Sequence, residues 1–411
     1  MLQTPLTREP LDPTWPQLQR RAWLGLGLAL AILFTLIAAA YWLHTTPGRG
    51  APAALALALG AALGIVFERG RFCYFCILRD GIERNDTGPS YAILAALASG
   101  SLGYALLLGA FLPSPFSGRL PPEAHIGPVS WALALGGFVF GLGMALSGAC
   151  VSGHLYRLGQ GSTRAPFALF GTILGMALGL LSWNTLYRWT IAEAPILWLP
   201  AWLGYSGALA LQLGLLALIG LLIMRGVPSL PARAATRLSP ALIYKVLITR
   251  RWPPLVTGAL VGAISAIAYL RIEPLGVTSQ LGSLARTGLD GAGLLPSRLY
   301  GLDTLAGCAT QVVTTITSNG LLIVGLVGGS LAAALAGGRF RPERLTVNGA
   351  VTALCGGLLQ GWGALIALGC TVGTLLSGIA AFAVSGWVFA ATMLLGVGVG
   401  MRLRWHTLGE G

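Results

Sequence analysis

Charge is what this sequence has least of. Of its 411 residues only 9% are Asp, Glu, Lys or Arg, whereas 55% are hydrophobic. A soluble fold would have nowhere to hide that apolar surface, so the composition excludes a soluble domain and implies a polytopic membrane protein. Acids are scarcer than bases, 13 against 26, and Lys245 is the one lysine. The net charge of +13 is arginine confined to short segments between apolar runs, a pattern that membrane topology explains better than nucleic-acid binding does. Histidine is limited to His44, His125, His154 and His406, scattered without ligand spacing, so no metal and no cofactor is expected.

Glycine, by contrast, supplies 59 residues, which suits bundles in which backbones pack closely and helices break. Spans of roughly 17 to 25 apolar residues fall near 23–43, 51–67, 90–112, 130–149, 165–184, 203–224, 254–270, 318–336, 346–367 and 385–401. The first, Trp23 to Leu43, is too long for the apolar core of a signal peptide and is read as a retained helix. With the N-terminus inside, 20 of the 26 basic residues fall on inner segments, and the positive-inside rule then puts both termini in the cytoplasm of a bacterial inner membrane. The expected organisation is a cytoplasmic segment (1–22), a first five-helix repeat (23–224), a basic cytoplasmic connector (225–253) and a second five-helix repeat (254–411). Periodicity is poor between Arg271 and Ser318, where a second re-entrant pair is possible.

The halves carry an internal repeat. Two glycines, a cysteine and a further glycine recur with one spacing as Gly141, Gly143, Cys150, Gly153 and as Gly361, Gly363, Cys370, Gly373. Five spans separate the copies, an odd number, so they should enter the membrane from opposite faces. Inverted-topology repeats of this kind build substrate sites from broken helices near the midplane, and an all-α bundle of about ten spans with short re-entrant half-helices is predicted.

The six cysteines, Cys73, Cys76, Cys150, Cys308, Cys355 and Cys370, are the obvious soft chemistry. Cys73 and Cys76 form a Cys-x-x-Cys, but no second pair completes a tetrahedral zinc site. Cys355, in the middle of an apolar run, reads as a small buried hydrophobe. Cys73, Cys150 and Cys370 each stand where a helix breaks, and irregular backbone at membrane depth is tolerated mainly where it is buried in protein or lines a path.

Three stretches resemble the YeeE/YedE membrane proteins, a family that takes up thiosulfate or handles related sulfur and selenium species. They are Arg71-Phe-Cys73-Tyr-Phe-Cys76 with Arg79, the run from Gly143 through Cys150, Gly153, Tyr156 and Arg157 to Gly161, and Gly369-Cys370-Thr-Val-Gly373 through Gly378. The resemblance implies an hourglass-shaped bundle in which Cys73, Cys150 and Cys370 line a narrow thiosulfate path, and it suggests a small cytoplasmic sulfurtransferase-type carrier as partner. This chain departs from the pattern in Thr374, where many members have His, and in its additional Cys76 and Cys308.

A thiosulfate dianion cannot cross hydrocarbon bare, because burying an isolated ion costs on the order of tens of kcal/mol. Half-helix N-termini offer free N–H groups and a positive dipole end, and Gly148, Gly153, Gly369 and Gly373 would let that backbone come close. Conduction also needs sites weak enough to leave. An ordinary thiol, with a pKa of roughly 8.5, is mostly S–H at neutral pH and is a weak donor suited to the terminal sulfur of thiosulfate. A cysteine relay by transient S–H hydrogen bonds, without covalent transfer and without enzymatic turnover, is therefore expected, with Cys76, Cys308, Arg71, Arg79 and Arg157 as secondary candidates. The alternatives are transport of a selenium or other small inorganic species, and a sulfurtransferase that forms a cysteine persulfide, which requires a thiol activated by a neighbouring cation such as Arg71 or Arg79. Inward movement of two negative charges against the membrane potential costs about 4.6 kcal/mol per 100 mV, so import needs proton coupling or consumption inside.

Overall fold

The computed structural model describes residues 15–224, 248, 250–304 and 310–408. Within them the chain is helical: α1 (Trp15–Thr45), α2 (Gly50–Gly70), α3 (Tyr74–Arg84), α4 (Ser90–Phe111), α5 (Trp131–Ser147), α6 (Val151–Gly159), α7 (Ala165–Leu186), α8 (Pro200–Met224), α9 (Pro254–Arg271), α10 (Ser279–Gly291), α11 (Ser318–Ala336), α12 (Val347–Ile366), the π-helical α13 (Thr371–Gly378) and α14 (Val384–Arg402). Ten helical segments among the described residues are long and apolar enough to cross a membrane, and each overlaps one of the spans read from the sequence. Six precede residue 225 and four follow residue 253, the division of the apolar runs themselves, whereas the expected organisation groups them as two five-helix halves. The connector 225–253 lies almost wholly outside the described residues, as does most of the segment 1–22.

Four long helices stop and are followed after a short break by a short one: α2 by α3, α5 by α6, α9 by α10, and α12 by α13. The region of poor periodicity thus contains α10, a 13-residue helix too short to span.

Packing between the long helices is reciprocal: α2 lies on α11 and α9 on α4, while α5 lies on α14 and α12 on α7. Glycine makes these contacts possible. Gly60 and Gly64 rest against the Leu322 and Leu326 carbonyls, and Gly171 and Gly175 against those of Leu354 and Leu358. A side chain at any of these would strike backbone, and the order of the contacts makes each pair parallel. Helices α5 and α12 meet antiparallel, Gly136 against Gly363 and Gly143 against Gly356. Close backbone approach is the device by which helices associate where apolar burial alone gives no preference over lipid.

Apolar side chains that a soluble protein would bury point outward. Phe34, Ile37 and Tyr41 of α1 and Leu218, Leu221 and Leu222 of α8 are all more than half exposed, as expected where the solvent is lipid. Both helices sit at the periphery. The arginine-bearing connections gather on one face: Arg341 N–H donates to the Gln160 carbonyl, Trp252 N–H to that of Arg69, and His406 reaches Glu83.

Candidate functional site

The sequence-marked cysteines occupy equivalent local positions. Cys73, Cys150 and Cys370 are the N-cap residues of α3, α6 and α13, each with extended backbone and a side chain not used in capping. Their thiols are therefore free to face whatever the N-terminal N–H groups face, at the positive end of a short helix. All three are fully buried.

The breaks lie well inside the bundle. Ser147, the last residue of α5, packs against Gly356, about half way along the spanning-length α12. Gly148 ends α5 in the left-handed conformation (φ +79°), which glycine adopts without strain, and its carbonyl accepts from Arg157 Nη1 at 3.2 Å. Gln360 of α12 fastens this loop from the side. Its amide nitrogen donates to Ser147 Oγ at 2.7 Å, to the Ala149 carbonyl at 3.1 Å and to the Gly143 carbonyl at 3.3 Å.

Cys73 and Cys150 meet with their Sγ atoms 3.8 Å apart, and Ser152 Oγ is 3.3 Å from the Cys150 sulfur. Gly153 is the floor of this pair: a Cβ there would lie 2.8 Å from the Cys73 sulfur and 3.3 Å from that of Cys150. Cys76 joins the cluster through Arg157, whose Nη2 donates to its sulfur at 2.9 Å. Cys370 belongs to the other break, and the link to it is Tyr74, which lies within electrostatic reach of both Cys150 and Cys370. Tyr74 is buried, and its hydroxyl has no hydrogen-bond partner among the described residues. Thr371 Oγ1, next to Cys370, is likewise buried without a partner.

Several expected roles change. Arg71 is exposed and takes the left-handed conformation (φ +50°) that ends α2, so it is Arg157 that brings a guanidinium to the cysteines. Arg79 pairs with Asp80 at 3.2 Å and approaches Glu83 at 4.0 Å. Glu68, by contrast, is the ion-pair partner its place in the sequence suggests, bound by Arg339 at 2.6 Å and by Arg69 at 3.7 Å. Cys355 is exposed on the outside of α12, not buried. Cys308 lies outside the described residues. Gly369 and Gly373 flank Cys370, and a side chain at Gly369 would collide with Thr374. Among the described residues no cluster of His, Cys, Asp and Glu has the makings of a metal site.

One residue escaped sequence reasoning altogether. His125, in the loop between α4 and α5, is buried, and its Nε2 lies 3.1 Å from Thr374 Oγ1. An imidazole thus stands beside the position where the family resemblance leads one to expect His in place of Thr374. The two residues are 249 apart in the chain, and no local pattern joins them. Burial holds the His125 ring neutral, its pKa lowered to about 4.

Broken helices packed in reciprocal parallel pairs, with buried thiols and hydroxyls at the breaks, are the construction of membrane transporters. The chain matches the sulphur-transport family over residues 69–399. It is 30% identical over 354 residues to the thiosulfate transporter TsuA of Escherichia coli (strain K12), covering 83% of this chain and 91% of that protein. To the thiosulfate transporter TsuA of Spirochaeta thermophila it is 29% identical over 359 residues, covering 83% and 95%. The chain belongs to this family of sulphur-transport membrane proteins, the YeeE/YedE family of the sequence resemblance, and is a multi-pass transporter of a sulfur compound.

Proposed function

We propose that the chain imports thiosulfate, or a closely related sulfur oxyanion, across the bacterial inner membrane along a path marked by Cys73, Cys150 and Cys370. One observation carries the reading: the three cysteines cap three short helices at breaks inside the bundle, two of them with sulfurs 3.8 Å apart. Helix N-termini supply partial positive charge without a mobile counter-ion, and neutral thiols give weak donors that let go. The ion passes by transient S–H hydrogen bonds, with the Tyr74 and Thr371 hydroxyls as further donors between the inner pair and Cys370. No covalent sulfur transfer is needed.

The reciprocal packing supports an inverted repeat of α2 to α7 with α9 to α14, and leaves α1 and α8 as peripheral additions. In that correspondence Thr278, the N-cap of α10, occupies the place of Cys73. The arginine-rich face is the cytoplasmic one, by the positive-inside rule. The opposing membrane potential, about 4.6 kcal/mol per 100 mV for a dianion, makes consumption by a soluble sulfur carrier the natural sink.

The test is uptake of radiolabelled thiosulfate by vesicles containing the purified chain. Cys73→Ala, Cys150→Ala and Cys370→Ala should each abolish it, and Cys355→Ala should leave it unchanged. Normal uptake by all three at equal protein content would refute the cysteine path, and absence of uptake by the unmodified chain would refute thiosulfate as substrate.

A further inference from the structure

A second polar site lies beside the cysteine cluster on the arginine-rich face. It is a cavity of about 110 Å3, room for a small tetrahedral ion with little water, since one water's share of the liquid is roughly 30 Å3. Three arginines line it, Arg79, Arg157 and Arg164, together with His154 and Ser147 from the α5 end. Arg79 also pairs with Asp80 at 3.2 Å, and Arg164 donates to the Gly349 carbonyl at 3.2 Å and to Thr352 Oγ1 at 3.1 Å. One carboxylate, Glu343, also faces it and accepts from Ser162 Oγ at 3.2 Å. His406 closes the rim, already engaged by Glu83 at 2.6 Å.

Two features distinguish this cavity from an ordinary basic surface. His154 is only 3% exposed, and its Nε2 has no hydrogen-bond partner among the described residues. A buried polar atom left unsatisfied is costly, and a hydrated ion would complete it. Arg157 meanwhile touches both spaces, with Nη1 on the Gly148 carbonyl at the cavity wall and Nη2 on the Cys76 sulfur. Among the described residues no carboxylate lies within ion-pair distance of Arg157, and Glu343 is the one carboxylate on the wall of the cavity.

We propose that this cavity binds a small divalent oxyanion of the sulfate or thiosulfate type, forming an antechamber one guanidinium away from the cysteine path. Charge-assisted hydrogen bonds from guanidinium groups are the strong, geometrically specific way to hold such an ion. That its physiological occupant is the transported ion rests on the import reading above; the site itself does not.

The experiment is titration calorimetry of the full chain in lipid nanodiscs, with sodium thiosulfate and sodium sulfate as probes. A Cys150→Ala background disables the path and leaves the cavity intact. This protein should bind either ion at one saturable site. His154→Leu and Arg164→Gln should each weaken binding by about tenfold or more, about 1.4 kcal/mol, whereas Arg164→Lys, which keeps the charge, should lose less than about threefold. Absence of saturable binding in the Cys150→Ala protein, or unchanged affinity in both cavity variants, overturns the site. Binding that responds to the cavity variants, together with a failure of the unmodified chain to take up thiosulfate, would keep the site and overturn the import reading. Normal uptake with no cavity effect would do the reverse.

Discussion

Cys73 and Cys150 are 77 residues apart in the chain, yet their sulfur atoms lie 3.8 Å from each other at the N-caps of α3 and α6. Both are thiols, in a buried space with no competing metal cluster among the described residues. An external dithiol oxidant such as diamide should take two hydrogens from the pair, becoming the corresponding hydrazine and leaving a Cys73–Cys150 disulfide. Uptake should then stop and return on treatment with dithiothreitol. Peptide mapping of the oxidised chain checks the linkage, and uptake that continues with the disulfide formed would place the path elsewhere.

Gly153 separates the same two sulfurs from the backbone of α6. A methyl group there would lie 2.8 Å from one and 3.3 Å from the other, closer than real Cβ contacts allow to the first. Because the site is enclosed, the sulfurs must move, and Gly153→Ala should reduce uptake by about tenfold, some 1.4 kcal/mol of barrier, with the bundle still folded. Uptake by proteoliposomes, normalised to monodisperse protein, measures this. Unaltered uptake would mean that the spacing of the two thiols is irrelevant.

Much of this was legible in the sequence, because long apolar runs flanked by arginine have one stable outcome in a bilayer and because glycine next to cysteine marks where such a run must break. Cys73, Cys150 and Cys370 could therefore be singled out, and each is a cap at a break. The partners that hold the breaks were not legible. Gln360 reaches the Cys150 loop across 211 residues to Ala149, Arg157 reaches Cys76 across 81, and His125 reaches Thr374 across 249. Each depends on which helices pack together, and periodicity within one helix carries no information on that. Arg71 misled for the complementary reason: it is near Cys73 in sequence, but the left-handed turn at Arg71 sends its side chain outward.

Gln360 should behave as a stabilising clamp. Its amide makes three hydrogen bonds to the end of α5 and the following loop, all in buried surroundings. Gln360→Leu removes the amide donors shared by the Ser147 hydroxyl and the Ala149 and Gly143 carbonyls and leaves the loop held by the Ser147 Oγ bond to the Ala149 carbonyl at 3.0 Å. At about 1 to 3 kcal/mol for a buried group left unsatisfied, the variant should unfold at a distinctly lower temperature in detergent and take up thiosulfate more slowly. A melting temperature equal to that of the unmodified chain would show that the loop is held by its own backbone.

His125 gives the chain a pH dependence whose sign follows from its burial. Its folded pKa is lowered to about 4, whereas an unfolded chain has histidine near 6.5. Between these values the unfolded state binds the proton and the folded state does not, so stability rises with pH through this window and is lost as pH falls from about 6.5 toward 4, by up to about 1.4 kcal/mol per unit. Above about 6.5 neither state is protonated and the contribution is flat. Melting temperature measured across that range should fall on acidification, and His125→Gln, which keeps a polar partner for Thr374 but cannot titrate, should flatten the curve. If the variant retains the full acid sensitivity of the parent, the group responsible for it is not His125.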